Sequence, residues 1–282
     1  QSNMYFPQHE IDQILLEDTP LHDETSRALG LNDTLGKIEI RAREPGIVCG
    51  LRIAEKMARS LDLQYESDLQ DGDPISPGLV VLSAQGSAAN LHLFWKQALN
   101  IIEHLSGVAG YTHAMLTLAR QHQPTIQVAT TRKALPSARR FLQYAVLCGG
   151  GIIHRTGLSE TVLLFAQHRA FYPDLSLRDL VTRLRQNSPE KRIMLEAETA
   201  QEALEAAQAG ADQLQLDKFT PQELIVLVPQ LKQHSPGLVI AATGGVRLVT
   251  AEIYAKTGVD LLITSSPYHA KPADFGANIT PL

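Results

Sequence analysis

The sequence predicts an α/β protein in two parts: a small N-terminal α+β domain, residues 4–110, followed by an incomplete parallel β/α barrel, residues 111–270. The barrel is predicted because short β-rich runs alternate with amphipathic helices beyond Thr125, a pattern that favours parallel strands joined by right-handed crossovers. The first part lacks this alternation and contains strand runs of period two. The tail, residues 271–282, is too short for another repeat and is predicted to pack on the N-terminal domain.

Length, composition and charge limit the class of protein. The chain has 282 residues, of which 44% are hydrophobic, enough for a sizeable core. Its formal net charge of −5 and the lack of an extended basic stripe argue against a nucleic-acid partner, and no apolar run approaches the roughly 20 residues that span a bilayer. Cys49 and Cys148 form neither a metal spacing nor a disulfide framework, which favours a reducing cytoplasm. The three residues before Met4 are typical of an expression-tag remnant and are left out; no secretory signal is expected.

Periodicity predicts the elements of the N-terminal domain. Ile38, Ile40 and Ala42 alternate with charged neighbours, which is the pattern of a half-buried strand. The run Asp71-Gly72-Asp73-Pro74 is a strong turn signal between two further strands. The domain is therefore predicted to contain helices at residues 9–17 and 51–61 and strands at residues 37–43, 63–67 and 79–84.

A long stretch with helical spacing, residues 88–120, connects the two parts. Leu91, Phe94 and Ile102 belong to its apolar face. Gly107 and Gly110 have low helix propensity, so two consecutive helices are predicted here.

The barrel opens with a strand, a helix and a glycine turn. The helix is predicted over residues 136–146, with Leu135, Ala138, Leu142 and Ala145 on its apolar face. Gly149-Gly150-Gly151 ends it, because three glycines in a row indicate positive φ or a close approach of the backbone.

Helix starts in the barrel are marked by capping boxes. Thr199 with Glu202 is one, and Thr220 with Glu223 is the other, with proline at the first helical position of the second. The strands are predicted at residues 125–129, 161–165, 192–196, 212–216, 238–241 and 260–264.

Cationic side chains follow the first barrel strand. Thr131, Arg132 and Lys133 come directly after it, and His154 with Arg155 follows the glycine turn. Arginine offers planar bidentate donors and lysine a point charge, and both suit carboxylates and phosphates. The group therefore predicts a receptor for a multiply anionic ligand, although each cation taken singly is also compatible with a solvated surface charge.

Acids and small-residue turns stand at the ends of the later strands. Glu196 ends one strand, Asp217 follows the next, Thr243-Gly244-Gly245 precedes a helix, and Ser265 closes the last strand. In parallel barrels the reacting groups lie at the C-terminal ends of the strands, and a helix start can hold phosphate through free N–H groups. The set predicts a site for a phosphorylated sugar with a metal-bound pyrophosphate, the carboxylates binding ribose hydroxyls or Mg²⁺. Singly, a strand-end acid or a Gly-Gly turn is equally compatible with a structural role.

Other classes of protein stay open at this point. A non-catalytic protein that binds a phosphorylated nucleotide or sugar would keep the barrel, but mere binding does not need Arg132, Lys133, Glu196 and Asp217 together. A Schiff-base aldolase could use Lys133, whose cationic neighbours would lower its pKa. The acids fit a pyrophosphate-type substrate better.

Several motifs of this chain resemble those of the quinolinate phosphoribosyltransferase family. The resemblance covers nearly the whole chain and implies the small N-terminal domain and the incomplete barrel. It rests on Ala98-Leu99-Asn100, Leu105-Ser106-Gly107-Val108-Ala109, Thr131-Arg132-Lys133, Gly149-Gly150-Gly151 with His154-Arg155, and Leu216-Asp217 with Thr243-Gly244-Gly245.

The resemblance implies an activity and residue roles. The family transfers a phosphoribosyl group from phosphoribosyl pyrophosphate to a pyridine dicarboxylate, with Mg²⁺, and releases pyrophosphate and carbon dioxide. Carried over, the catalytic residues are Lys133, Glu196 and Asp217, and the two acids also bind Mg²⁺, directly or through water. The implied substrate-binding residues are Thr131, Arg132, His154, Arg155, Thr243, Gly244, Gly245 and Ser265.

Several positions depart from the family pattern. Lys96 replaces an arginine that the family donates across a homodimer, and Lys218 replaces an asparagine. Phe165 and His168 stand in a segment that reads Lys-Asp-Asn-His in the family, with Phe165 in place of the lysine. These positions make the chain resemble the ModD subfamily, pyrophosphorylase-like proteins associated with molybdenum transport. The expected acceptor is then a small aromatic acid other than quinolinate, and the alternative is a true quinolinate phosphoribosyltransferase, a carboxylating nicotinate-nucleotide diphosphorylase of NAD synthesis.

Overall fold

The computed structural model describes residues 3–282, so Gln1 and Ser2 of the expected tag remnant lie outside the described residues. The chain divides into two compact units. The first consists of the chain up to Tyr111 together with Arg140–Gly150 and His269–Leu282, and the second consists of Thr112–Arg139 and Gly151–Tyr268.

The helices and strands have the following bounds. The helices are α1 Gln8–Asp18, α2 Glu24–Leu29, α3 Leu51–Ser60, α4 Ala88–Arg120, α5 Arg139–Cys148, α6 Ala166–Arg169, α7 Leu177–Asn187, α8 Ala200–Gln208, α9 Pro221–His234 and α10 Leu248–Ala255. The strands are β1 Leu35–Ala42, β2 Gly46–Ile47, β3 Gln64–Glu66, β4 Pro74–Ile75, β5 Val80–Ser87, β6 Gln127–Thr130, β7 Ile152–Ile153, β8 Val162–Leu164, β9 Ile193–Ala197, β10 Gln213–Asp217, β11 Val239–Thr243, β12 Leu261–Thr264 and β13 Phe275–Pro281. No helix within residues 3–282 is long and apolar enough to cross a membrane.

The N-terminal unit is built on an antiparallel sheet of order β13-β1-β5-β3. Ile38 and Ile40 of β1 are fully buried while their neighbours are more exposed, as the period-two pattern indicates. The C-terminal strand β13 pairs with β1 along its whole length, with Ile38 opposite Ile279. The tail of the chain therefore supplies an edge strand of this sheet.

Helix α5 belongs to the N-terminal unit, although the sequence places it between barrel strands. Phe6 packs on it, stacked on Phe141 with ring centroids 5.8 Å apart and edge-on to Tyr144 at 4.9 Å. The Tyr144 hydroxyl donates to the buried carboxylate of Asp71, which also accepts from the backbone N–H of Leu51 at the start of α3. These contacts hold α5 within the first unit.

The prediction of two helices between residues 88 and 120 is wrong, because α4 is continuous over 33 residues. Gly107 is needed for close packing and does not interrupt the helix. A Cβ at this position would lie 2.4 Å from the carbonyl oxygen of Lys271, so the backbone of the tail approaches the helix where glycine leaves room. Burial of neighbours such as Leu105, Val108 and Ala109 offsets the low helix propensity of glycine.

The barrel unit contains a seven-stranded parallel sheet within the described residues, in the order β7-β6-β12-β11-β10-β9-β8. Its edges, β7 and β8, are not paired with each other in this part of the chain, which confirms the incomplete barrel. Ala129, Ala241 and Ile263, from three neighbouring strands, pack together on one face of the sheet. Small and branched side chains thus fill the barrel interior below the ends of the strands.

Helix α5 begins three residues later than predicted. Ser137, which follows Pro136, has a left-handed φ of 73°, and this conformation is incompatible with a right-handed α-helix. Leu135, expected on the apolar face, is 72% exposed. The glycine turn follows the helix as predicted, with Gly150 at φ 93°.

The two helix starts marked in the sequence are capped. Thr220 and Glu223 form the reciprocal capping box at α9. At α8 the Thr199 hydroxyl accepts from the backbone N–H of Glu202, but the Glu202 carboxylate accepts from Glu198 instead of Thr199. Both helices therefore start where capping chemistry indicates.

Candidate active site

A carboxylate cluster lies at the C-terminal ends of β9 and β10. Glu196 and Asp217 come together as the parallel topology requires, and Glu198 joins them; one oxygen from each lies within 4.8 Å of those of the other two. Glu196 is opposite Gln215 in the strand register, so it is close to Asp217 in space. Glu198 was not among the residues expected from the sequence, and its signal is its position two residues beyond Glu196 at the same strand end.

The pKa of Glu196 is raised by its environment. Burial is the largest cause, followed by the charges of Asp217 and Glu198. Lys133 and Lys218 act in the opposite direction and lower it. Hard oxygen ligands of this kind suit Mg²⁺, so the donor set fits the expected metal.

The turn after β11 holds the side chain of Asp217 in place. The Thr243 hydroxyl donates to Asp217 Oδ1 at 2.9 Å, and these two residues are opposite each other in the register. Gly244 has φ 76°, and a Cβ there would lie 2.8 Å from Asp217 Oδ1, so any other residue would clash. Gly245, with φ 75°, has open space on its Cβ side. The backbone of the turn therefore lies close to the Asp217 carboxylate at Gly244 and has free space beside it at Gly245.

Lys218 follows Asp217 in a left-handed conformation with φ 61°. Its backbone N–H donates to the carbonyl oxygen of Thr243 at 2.9 Å. The side chain is 77% exposed, and its Nζ lies 3.9 Å from Asp217 Oδ2. A flexible cation is thus available at the mouth of the site.

The two candidate guanidinium groups lie close to each other. Arg155 is buried, and its Nη2 donates to the carbonyl oxygen of Thr161 at 3.3 Å. Its pKa is lowered, first by burial and then by the charge of Arg132. Two cations that repel one another in this way gain from an anion between them. Thr131 has a local role as well, since its hydroxyl accepts from the backbone N–H of Lys133 at 3.1 Å.

His154 contacts a residue that the sequence did not single out. Nε2 of the Gln215 side chain donates to Nε2 of His154. Burial, followed by the charge of Arg155, lowers the pKa of His154 to about 4, and Glu160 offsets this in part. The signal for Gln215 is a polar side chain two residues before Asp217 on the same face of a barrel strand.

Phe165 and His168 form a pair after β8. Their rings stack with centroids 5.8 Å apart and an interplanar angle of 17°. His168 Nδ1 accepts from the backbone N–H of Phe165 at 3.0 Å. Because Leu163 is opposite Met194 in the register, Phe165 falls on the same face as Glu196. The position therefore offers an apolar ring to the barrel interior.

Two candidate residues stand apart from these contacts. Lys96 belongs to the N-terminal unit, where its Nζ lies 4.3 Å from the ring centroid of Trp95. Ser265 follows β12 and is half-buried, and its carbonyl oxygen accepts from the backbone N–H of Tyr268 at 3.0 Å.

Comparison with known proteins identifies the class and the family. Residues 108–277 match the family model for the quinolinate phosphoribosyl transferase C-terminal domain, and residues 23–106 match the one for the N-terminal domain. Together with the incomplete barrel, these matches define a phosphoribosyltransferase, an enzyme of the pentosyltransferase class. The chain belongs to the quinolinate phosphoribosyltransferase family.

Relatives from two branches are similar to the chain over nearly its whole length. A protein of Escherichia coli O6:H1 that carries the name pyrophosphorylase ModD is 40% identical, covering 99% of this chain and 98% of that protein. A protein named as a carboxylating nicotinate-nucleotide pyrophosphorylase, from Methanothermobacter thermautotrophicus, is 33% identical and covers 95% of this chain and 97% of that one. The crystal structure of NadC from Streptococcus pyogenes superposes with a TM-score of 0.90 at 27% identity and covers 100% of both chains.

Proposed function

We propose that this enzyme transfers a phosphoribosyl group from phosphoribosyl pyrophosphate to a small aromatic acid other than quinolinate and releases pyrophosphate. The observation that carries the proposal is the cluster of Glu196, Glu198 and Asp217 beside the Thr243-Gly244-Gly245 turn. Positive charge develops on the ribose as the bond to pyrophosphate breaks, and carboxylates nearby stabilise it. The turn offers backbone groups to a phosphate.

Mg²⁺ is the proposed cofactor. Glu196, Glu198 and Asp217 would hold it, and the metal would neutralise the pyrophosphate oxygens. The chain's own cations would share this task. Lys133 lies near Glu196, and Lys218 extends beside Asp217, so both can neutralise anionic groups of the substrate.

The carboxylate of the acceptor is proposed to bind between Arg132 and Arg155, because an anion there would offset the effect of the Arg132 charge on Arg155, whose pKa is lowered. Thr131 and Ser265 lie at the ends of the neighbouring strands β6 and β12 and complete the polar rim of the site. The ring of the acceptor would pack on Phe165.

The second candidate is a true quinolinate phosphoribosyltransferase of NAD synthesis. The retained cations Arg132, Lys133 and Arg155 favour it, as does the resemblance to the Methanothermobacter protein. The first candidate is preferred because Phe165 lies on the same face as Glu196, where the family resemblance implies a lysine.

The mechanism is tested with Glu196→Gln and Asp217→Asn. Pyrophosphate release is measured with phosphoribosyl pyrophosphate, Mg²⁺ and a panel of aromatic acids. Each substitution should lower turnover by on the order of 10²-fold or more, because it removes charge that stabilises the transition state. Glu190→Gln, which neutralises an exposed acid of the same unit, is the matched control and should keep full turnover. Unchanged turnover in both site variants would remove these carboxylates from the mechanism.

The choice of acceptor is tested with Phe165→Lys and quinolinate. Wild-type turnover of quinolinate should be weak and should rise in the variant, because a charge-assisted contact to a carboxylate contributes about 1.5 to 3 kcal/mol. Phe171→Lys adds the same charge at a ring that is 82% exposed and should change nothing. Efficient wild-type turnover, at a kcat/KM of about 10⁴ M⁻¹s⁻¹ or above, would favour the NAD-synthesis candidate instead.

A further inference from the structure

A side-chain hydrogen bond crosses the interior of the barrel. It joins Gln215 on β10 to His154, which directly follows β7. Three strands, β6, β12 and β11, separate β7 from β10 in the sheet. The bond therefore closes across the curved sheet, and Gln215 is 3% exposed there.

This bond determines where the proton of His154 lies. A side-chain amide nitrogen can only donate, so Nε2 of His154 accepts and Nδ1 carries the proton. Nδ1 has no hydrogen-bond partner among the described residues, and the ring is half-buried. His154 is thus held as an uncharged donor, in agreement with its lowered pKa of about 4.

The other cations of the site, Lys133 and Lys218, act on the acids and lower the pKa of Glu196. Phe165 is apolar and falls on the same face as Glu196. Ala241 is opposite Gln215 in the register and packs with Ala129 on one face of the sheet. The guanidinium group of Arg155 donates to the carbonyl oxygens of Leu158 and Thr161, and the charge of Arg132 acts on it.

We propose that Gln215 is a specificity-determining residue that fixes His154 as an uncharged donor, so that the site takes a heteroaromatic acid with one carboxylate. The carboxylate would bind between Arg132 and Arg155. A second substituent on the ring, carrying an uncharged hydrogen-bond acceptor atom, would accept a hydrogen bond from Nδ1–H of His154. A second carboxylate would be desolvated against a neutral imidazole and Phe165, because Lys133 and Lys218 are engaged with Glu196 and Asp217. This inference rests on the proposed transferase function.

The first measurement is the protonation of His154 in the wild-type enzyme. The side-chain nitrogen signals of a ¹⁵N-histidine-labelled sample are followed by NMR, with His154→Asn used for assignment. At pH 7 the ring should be neutral with the proton on Nδ1. A ring protonated on Nε2 alone, or on both nitrogens, would overturn the proposal without any assay of activity.

The second measurement compares the binding of picolinate and quinolinate, which differ by one carboxylate. Calorimetry with phosphoribosyl pyrophosphate and Mg²⁺ present should give the wild type at least a roughly tenfold preference for picolinate. Gln215→Met removes the amide and should reduce this preference by about fivefold or more, while phosphoribosyl pyrophosphate binding stays unchanged. A wild type that prefers quinolinate, or a variant that weakens both acids equally, would contradict the proposal.

Gln213→Met is the matched control. Gln213 lies two residues earlier on the same face of β10 and is buried, and its Nε2 has no hydrogen-bond partner in the described part of the chain. Its replacement should keep the preference for picolinate. An equal loss in both variants would assign the effect to barrel packing. Failure of the wild type to bind phosphoribosyl pyrophosphate would count against the transferase function and leave the His154 spectrum to decide the role of Gln215.

Discussion

At the scale of single residues, the chain concentrates like charges at the ends of β9 and β10. Burial of Glu196 and the negative charges of Asp217 and Glu198 each raise its pKa. Gly244 and Thr243 hold Asp217 close by, so the acids cannot separate without loss of a hydrogen bond. Such an arrangement destabilises the free protein and gains from a bound cation.

The raised pKa of Glu196 predicts a stability effect. A carboxyl group with a folded pKa above its unfolded value of 4.5 contributes stability that is fully present below that pH and is lost as pH rises through the folded pKa. At pH 7, without Mg²⁺, Glu196→Gln should therefore raise Tm, by on the order of 2 °C. Differential scanning fluorimetry at pH 7 and pH 4 checks this, because the gain should shrink at pH 4.

Metal addition provides the control for this prediction. Mg²⁺ should raise the Tm of the wild type more than that of Glu196→Gln, because the variant lacks one of the three carboxylates. Glu190→Gln should behave as the wild type does. A lower Tm for Glu196→Gln at pH 7 would show that the carboxylate makes a favourable contact that outweighs the repulsion.

At the scale of elements, α4 shows how one glycine can decide the packing of a helix. Gly107 and Gly110 lie in the same helix and have the same intrinsic propensity. Their surroundings differ: a Cβ at Gly107 would lie 2.4 Å from a backbone oxygen of Lys271, whereas at Gly110 the nearest atom is 4.0 Å away. The two positions therefore form a natural pair for substitution.

Gly107→Ala should destabilise the protein and Gly110→Ala should not. Overpacking against a backbone carbonyl costs about 1 to 3 kcal/mol, whereas alanine in a helix interior gains about 0.5 to 1 kcal/mol over glycine. Urea unfolding of both variants measures the difference in free energy. Equal stability of the two variants would show that the backbone around Lys271 shifts at little cost.

At the scale of the whole molecule, we expect the proposed site to be shared between the subunits of a homodimer. Lys96 lies in the N-terminal unit, and Arg132, Lys133 and the acids lie in the barrel unit. The family resemblance assigns the position of Lys96 to the site of the partner subunit. Lysine keeps the positive charge there but lacks the bidentate geometry of arginine.

Mixing of two inactive chains tests this arrangement. Lys96→Ala and Arg132→Ala should each lose activity, and a mixed dimer should regain part of it because one of its two sites carries both side chains. Pyrophosphate release after co-expression measures the gain, with each variant alone as control. A monomer by light scattering, or mixed dimers as inactive as the parents, would contradict the shared site.

The sequence by itself determined the alternation of strands and helices, the parallel barrel and the strand ends that carry Glu196, Asp217 and Thr243. These follow from local rules, since side-chain periodicity and turn chemistry act over a few residues and parallel strands bring their carboxyl ends to one edge. It also indicated the helix starts at Thr199 and Thr220.

Tertiary structure alone decided the continuity of α4, the exposure of Leu135 and the approach of Glu198 to the other acids. It also decided the pairing of Gln215 with His154. Each of these depends on strand register, on the approach of a distant backbone, or on the loss of solvent around a side chain. No local pattern reports such quantities, because they arise between segments far apart in the chain.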